Sequence, residues 1–234
     1  MMQLYNTILS QPLFNATVFL YNFIPGSDFG LAIITLTILI RIVMFPLTLK
    51  TTKSQRAMAK VNPKLKAIKE KFKNDAQAQS AAIMTLYKEN NVNPLSGCLP
   101  LIIQLPILIA LYKAFGAGFK PESLDLLYGF ISNPGQINTT SLGILNIGSK
   151  NAILAVITGV FQFFQLRQNN LTMAAASSDG NKEMQAMNKQ MLYFFPVMII
   201  IIGWNLPAGL LLYWVTTTLF SMGEQMYIKA KYPL

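Results

Sequence analysis

A chain of 234 residues that is 53% hydrophobic and only 12% charged lacks the charge to cover a water-facing surface, since soluble globular chains carry about 25%. The net charge is nonetheless +10, from 19 Lys and Arg against 9 Asp and Glu, so the positive charge is gathered somewhere. With no histidine and a single cysteine, Cys98, imidazole-dependent catalysis, histidine metal sites, internal disulfides and cysteine clusters are excluded.

The first element is an apolar stretch at residues 13–24, interrupted by Asn15, Thr17 and Asn22. It is too short to span a bilayer and predicts an interfacial helix. No Lys or Arg precedes it, so it is not expected to be a signal peptide. No cysteine lies near it, so lipid attachment is not expected there either. A transmembrane helix needs about 20 mostly apolar residues. Residues 29–48, 94–115, 151–166, 187–204 and 206–228 meet or approach that length and predict five spans. The last two are separated by a tight turn at Asn205, Leu206 and Pro207. The runs lack the alternation of barrel strands. The expected fold is an all-α polytopic membrane protein with five transmembrane helices.

The loops set the orientation. Residues 1–28 hold no Lys or Arg, residues 49–93 hold ten, and residues 116–150 hold two. Lys and Arg favour the cytoplasmic side. The expected layout has segment 1–28 and loop 116–150 outside. Loops 49–93 and 167–186 and the tail 229–234 lie in the cytoplasm.

Within 49–93, Val61, Leu65, Ile68 and Phe72 form one apolar helical stripe, and Ile83, Leu86 and Tyr87 form a second. Asn62-Pro63 reads as a helix start. Asn74-Asp75 reads as a break that caps the next helix. Asn93-Pro94 reads as a further start where the second span begins. A basic cytoplasmic helical hairpin is expected, with Lys60, Lys64, Lys66, Lys69, Lys71 and Lys73 on its outside. Three roles are open for these lysines: topology control with attraction to anionic lipid headgroups, docking of a ribosome or translocation partner, and nucleic-acid binding. No base-reading motif supports the last.

Arg41 is the charge inside the first span, about 18 Å from its outer end and about 10 Å from its inner end at 1.5 Å per residue. No Asp or Glu is counted deep in another span, so no internal ion-pair partner is expected. Two readings are open: snorkelling to the cytoplasmic headgroups, or a water-filled cavity with Arg41 as its fixed cation. Thr37, Gln104, Thr158, Gln162, Thr216, Thr217, Thr218 and Ser221 add polar atoms from four spans and favour the cavity. Pro46, Pro100, Pro106, Pro196 and Pro207 read as helix kinks or starts.

Residues 39–48 around Arg41 and Pro46, the basic segment 62–89, and above all the run 92–106 resemble YidC-type membrane protein insertases of the Oxa superfamily. That run contains Asn93, Pro94, Cys98, Pro100, Gln104 and Pro106. Residues 159–163 and 207–214 extend the resemblance, which covers residues 13 to about 228. The resemblance implies a five-helix core with an arginine-bearing hydrophilic groove, open to cytoplasm and lipid. It implies insertion and folding of nascent membrane proteins, alone or beside the Sec translocon; the short N-terminus leads to the expectation of a bacterial plasma membrane rather than an organelle needing a transit peptide. It implies no enzymatic activity and no cofactor. Ribosome and signal recognition machinery are candidate partners at the hairpin. Arg41 would be the groove cation, with Gln162 and Trp214 lining or flanking it and Gln104 matching the motif. The chain departs from the family where Thr218 and Glu224 stand in place of a frequent Asn and Gln. It also departs in the expected absence of a large outer domain and of a long basic tail. The main rival is a small-solute transporter or channel, which would need a closed path and usually an internal repeat; no repeat is evident.

Overall fold

The computed structural model describes residues 2–93, 99–118, 121–175 and 182–232. In chain order it runs α1 (Met2–Tyr5), a π turn (Asn6–Ser10), α2 (Gln11–Phe23), α3 (Phe29–Lys71), α4 (Ala76–Glu89), α5 (Leu99–Gly118) and a 3-10 turn (Pro121–Leu126). Two short strands follow, β1 (Thr140–Ser141) and β2 (Leu145–Asn146), paired antiparallel. The chain closes with α6 (Ala152–Ala175), α7 (Lys182–Gly203) and α8 (Ala208–Lys231).

The helix expected at 13–24 is the second half of a longer helical run from Met2 to Phe23. It does not stand apart from the bundle. Phe14, Val18 and Tyr21 are buried against Phe29 and Ile33 of α3, Leu111 of α5, Ile147, and Leu210 and Tyr213 of α8. Asn15 ties it to the following loop by donating to the Leu126 carbonyl at 3.1 Å and accepting from the Tyr128 amide at 2.7 Å.

Helix α3 starts at Asp28, whose carboxylate accepts from the Leu31 amide at 2.9 Å and satisfies one of the free N–H groups of the first turn. The same carboxylate accepts from Ser141 Oγ at 2.7 Å and the Leu142 amide at 2.6 Å, so one side chain fastens the β1 end to α3. Burial raises the Asp28 carboxyl, but the hydrogen bonds from Leu142, Ser141, Leu31 and Gly30 outweigh it and hold the group below its ordinary value. Gly30 permits this contact, because a Cβ there would overlap the Ser141 side chain. Helix α8 has no side-chain cap. Loop carbonyls take that role: the Ala208 amide donates to Ser149 O and the Gly209 amide to Ile147 O, both at 2.8 Å.

Asn62-Pro63 does not start a helix. Helix α3 runs unbroken for 43 residues, with Pro46 and Pro63 inside it. A proline within a helix removes one backbone hydrogen bond and crowds the preceding turn, which bends the helix without ending it when packing holds both sides. Here the far side is held by Val61 and Leu65, which pack against Leu86 and Val92 at α4. The break and cap at Asn74-Asp75 are observed: the Asp75 side chain accepts from the Ala78 amide at 2.9 Å. The expected Asn93-Pro94 start extends outside the described residues.

Among the described residues one helix is long and apolar enough by itself to cross a membrane, Phe29–Met58. Ile102–Ala114 and Gln190–Gly203 are shorter apolar runs. Helices α6 and α8 fall short although each has 24 residues. Their sequences explain this, since α6 carries Thr158, Gln162 and Gln165 and α8 carries three threonines, Ser221 and Glu224. The outward faces are nonetheless apolar. Val43 of α3, Ile109 of α5, Val160 and Phe164 of α6, Phe194 and Ile201 of α7 and Leu219 of α8 are all exposed. Greasy residues outside with polar ones inside is the arrangement that lipid rather than water favours.

Candidate substrate groove

The inward face of α8 is a polar stripe. Tyr213, Thr217, Ser221 and Glu224 recur at helical spacing and are all buried. Three helices meet this stripe with polar side chains. From α5, Gln104 Nε2 donates to the Tyr213 hydroxyl. From α6, Gln162 Oε1 accepts from Trp214 Nε1 at 3.2 Å and from Thr218 Oγ1 at 3.5 Å, while its Nε2 donates to Gln165 Oε1 at 2.8 Å. From α3, Arg41 Nη1 lies 3.5 Å from Glu224 Oε2.

That last contact corrects the expectation that Arg41 has no internal partner. Arg41 is twelve residues into α3 and Glu224 sixteen into α8, about 18 Å and about 24 Å from the capped ends of the two helices. The Arg41 side chain is 17% exposed and that of Glu224 only 3%. The pair is a single long contact, where charge-assisted bonds usually measure about 2.7–2.9 Å. Glu224 Oε1 is buried without a hydrogen-bond partner, as is Thr217 Oγ1. A cleft of about 470 Å³ adjoins the pair between α3 and α8, lined by Ile42, Phe45, Phe220, Gly223, Glu224 and Tyr227. Its lining is apolar except for Glu224 and the Tyr227 hydroxyl.

Residues 19–233 match the family model of the 60Kd inner membrane protein. A membrane protein insertase YidC of Fusobacterium nucleatum is 37% identical over 204 residues, 87% of each chain. This chain belongs to the YidC family. A YidC of Streptomyces avermitilis is 34% identical over 222 residues, which are 87% of this chain and 51% of that one. A crystal structure of an active YidC insertase, with its first transmembrane domain resolved, superposes with a TM-score of 0.56 at 28% identity. It covers 98% of this chain and 47% of its own. Against these YidC proteins the chain thus ranges from most of the relative's length to about half.

The residues singled out in the sequence divide into four groups. Arg41 and Gln104 make polar contacts with the α8 stripe from neighbouring helices, while Gln162 and Trp214 pair with each other beside it. Thr217 lies on the stripe itself. Thr37 and Thr158 are buried, but their hydroxyls donate to carbonyls one turn back in their own helices, Ile33 O at 2.6 Å and Leu154 O at 2.7 Å. At the far end of α3, Lys60, Lys64, Lys69, Lys71 and Lys73 are exposed and Lys66 is half-buried. Arg56, counted among the loop cations, is buried and its Nη1 donates to the Tyr232 carbonyl at 2.6 Å. Lys53 sits 4.1 Å above the ring of the same tyrosine. These two contacts anchor the end of α8 against α3. Glu224 and Tyr213 were not singled out as groove residues; their three- and four-residue spacing from Thr217 and Ser221 was the available signal.

Proposed function

We propose that this chain inserts nascent membrane proteins through a groove built on the α8 stripe, with Arg41 as its cation. The observation that carries the reading is a buried polar seam, fed by α3, α5, α6 and α8, inside helices whose outward faces are apolar. A hydrophilic tail costs much free energy to carry through hydrocarbon. A polar seam reaching partway across shortens that apolar path. Arg41 offers transient attraction to acidic residues in the tail, and the cargo's apolar helix leaves sideways into lipid along the α3–α8 cleft. Such a groove binds weakly and reads no sequence, because a tight site would hold its cargo.

In this reading α3, α5, α6, α7 and α8 are the five spans of a bacterial plasma membrane protein. Their lengths of 20 residues or more support this. The Asp28 end faces outward and the α3–α4 hairpin faces the cytoplasm, in keeping with the ten Lys and Arg of residues 49–93. The hairpin lysines meet anionic lipid and offer a surface to a ribosome, the Sec translocon or a signal recognition partner.

The test is insertion into proteoliposomes of a cargo with an acidic translocated tail. Arg41→Lys keeps most of the yield and Arg41→Glu loses it. Equal yields for wild type and Arg41→Glu would refute an electrostatic role.

A further inference from the structure

We propose that Glu224 is a specificity-determining residue: it occupies Arg41 between cargoes, cancels its charge, and selects which tails enter. This rests on the insertase reading and deepens it. Three observations meet here. The Arg41–Glu224 contact is single and long at 3.5 Å, so it is easily exchanged. The other oxygen of Glu224 is buried without a partner, so the carboxylate has unused accepting capacity. The cleft between α3 and α8 has Glu224 in its wall, next to that contact.

The consequences follow from charge balance. An acidic residue of the cargo gains Arg41 only by displacing Glu224, and a displaced carboxylate left buried without a cation is costly. A lysine or arginine of the cargo finds Glu224 with an oxygen free to accept. A tail that brings both signs exchanges partners with both and leaves no charge alone. The seam is therefore balanced between acidic and basic tails and favours mixed ones. An arginine without Glu224 would favour acidic tails alone.

The experiment uses the full chain in neutral-lipid vesicles without a membrane potential. Three cargoes share one apolar helix and differ only in the translocated tail: two aspartates, two lysines, or neither. The unaltered chain inserts the aspartate and lysine tails with yields within about twofold of each other, while Glu224→Gln raises the aspartate tail about tenfold over the lysine tail, each yield being taken relative to the neutral tail in the same variant. Glu224→Asp retains the wild-type balance. An unaltered chain that already favours aspartate tails about tenfold would overturn the proposal, and this result does not depend on any variant folding. A Glu224→Gln change that scales all three cargoes equally would overturn it too, since that marks a packing role. If the unaltered chain inserts no cargo at all, the insertase reading itself fails.

Discussion

Asp28 and Asp75 are both aspartates that cap a helix, and the structure assigns them different weights. Asp75 accepts one amide, from Ala78, at an exposed site. Removing such a cap costs about 1 kcal/mol. Asp28 accepts the equivalent amide, from Leu31, and also Ser141 Oγ and the Leu142 amide. Bonds to an ionised acceptor contribute about 1.5–3 kcal/mol each, and the half-buried position argues for the lower figure. Asp28→Ala is therefore expected to cost about 4 kcal/mol against about 1 kcal/mol for Asp75→Ala. In a chain of this size that is a fall in Tm of about 8–16 °C against about 2–4 °C, read by thermal unfolding in detergent near neutral pH. The pH dependence has a definite sign. The folded carboxyl of Asp28 lies below its unfolded value, so its contribution is complete above the unfolded value of about 3.9. It is lost as pH falls through the lower folded value. The gap between wild type and Asp28→Ala should stay constant from about pH 8 to about pH 5 and close in stronger acid. Equal losses for the two alanine variants, or a gap that narrows between pH 8 and pH 6, would refute the reasoning.

Two further expectations concern other parts of the chain. A Cβ at Gly159 would overlap the side chain of Ile200 and lie 3.0 Å from the Pro196 carbonyl, so Gly159→Val forces α6 away from α7. It should lower stability by about 1–3 kcal/mol in the same unfolding measurement, whereas Gly223→Ala, which meets nothing within 4 Å, should be far milder. Changing Lys64, Lys69, Lys71 and Lys73 together to Gln removes four exposed cations. Near an anionic surface each contributes about 1 kcal/mol, so partitioning of the isolated 49–93 peptide onto phosphatidylserine vesicles should fall steeply, and with neutral vesicles not at all.

Much of this architecture was readable from residue order alone, and the gaps have physical causes. Arg41 stood out because a single charge in an apolar run is conspicuous. Glu224 did not, because it lies near the polar end of its run, and a window average hides a residue that helical spacing reveals. Taken at intervals of three and four, Tyr213, Thr217, Ser221 and Glu224 form one face. Asn62-Pro63 misled because a proline that starts one helix and a proline that bends another look alike locally. The distinction came from Val61 and Leu65, whose partners lie on α4. The cap at Asp75 was legible because it depends only on neighbours in sequence. The wider role of Asp28 was not, since Ser141 and Leu142 are more than a hundred residues away. The strands at 140–146 are too short to carry a period.

The continuity of α3 has a mechanical side. Forty-three residues of helix make a rod about 65 Å long. Arg41 sits on one arm of it and the lysine-rich tip on the other, with Pro46 just beyond Arg41 as a natural pivot. A bend of about 5° at Pro46 swings Lys71, about 37 Å further along, through about 3 Å. The same bend moves Arg41, about 7 Å from Pro46 on the other side, by less than about 1 Å. The basic tip and the Arg41 stretch are thus parts of one continuous helix, so a small change of direction at Pro46 is a large displacement at the tip and a small one beside Glu224.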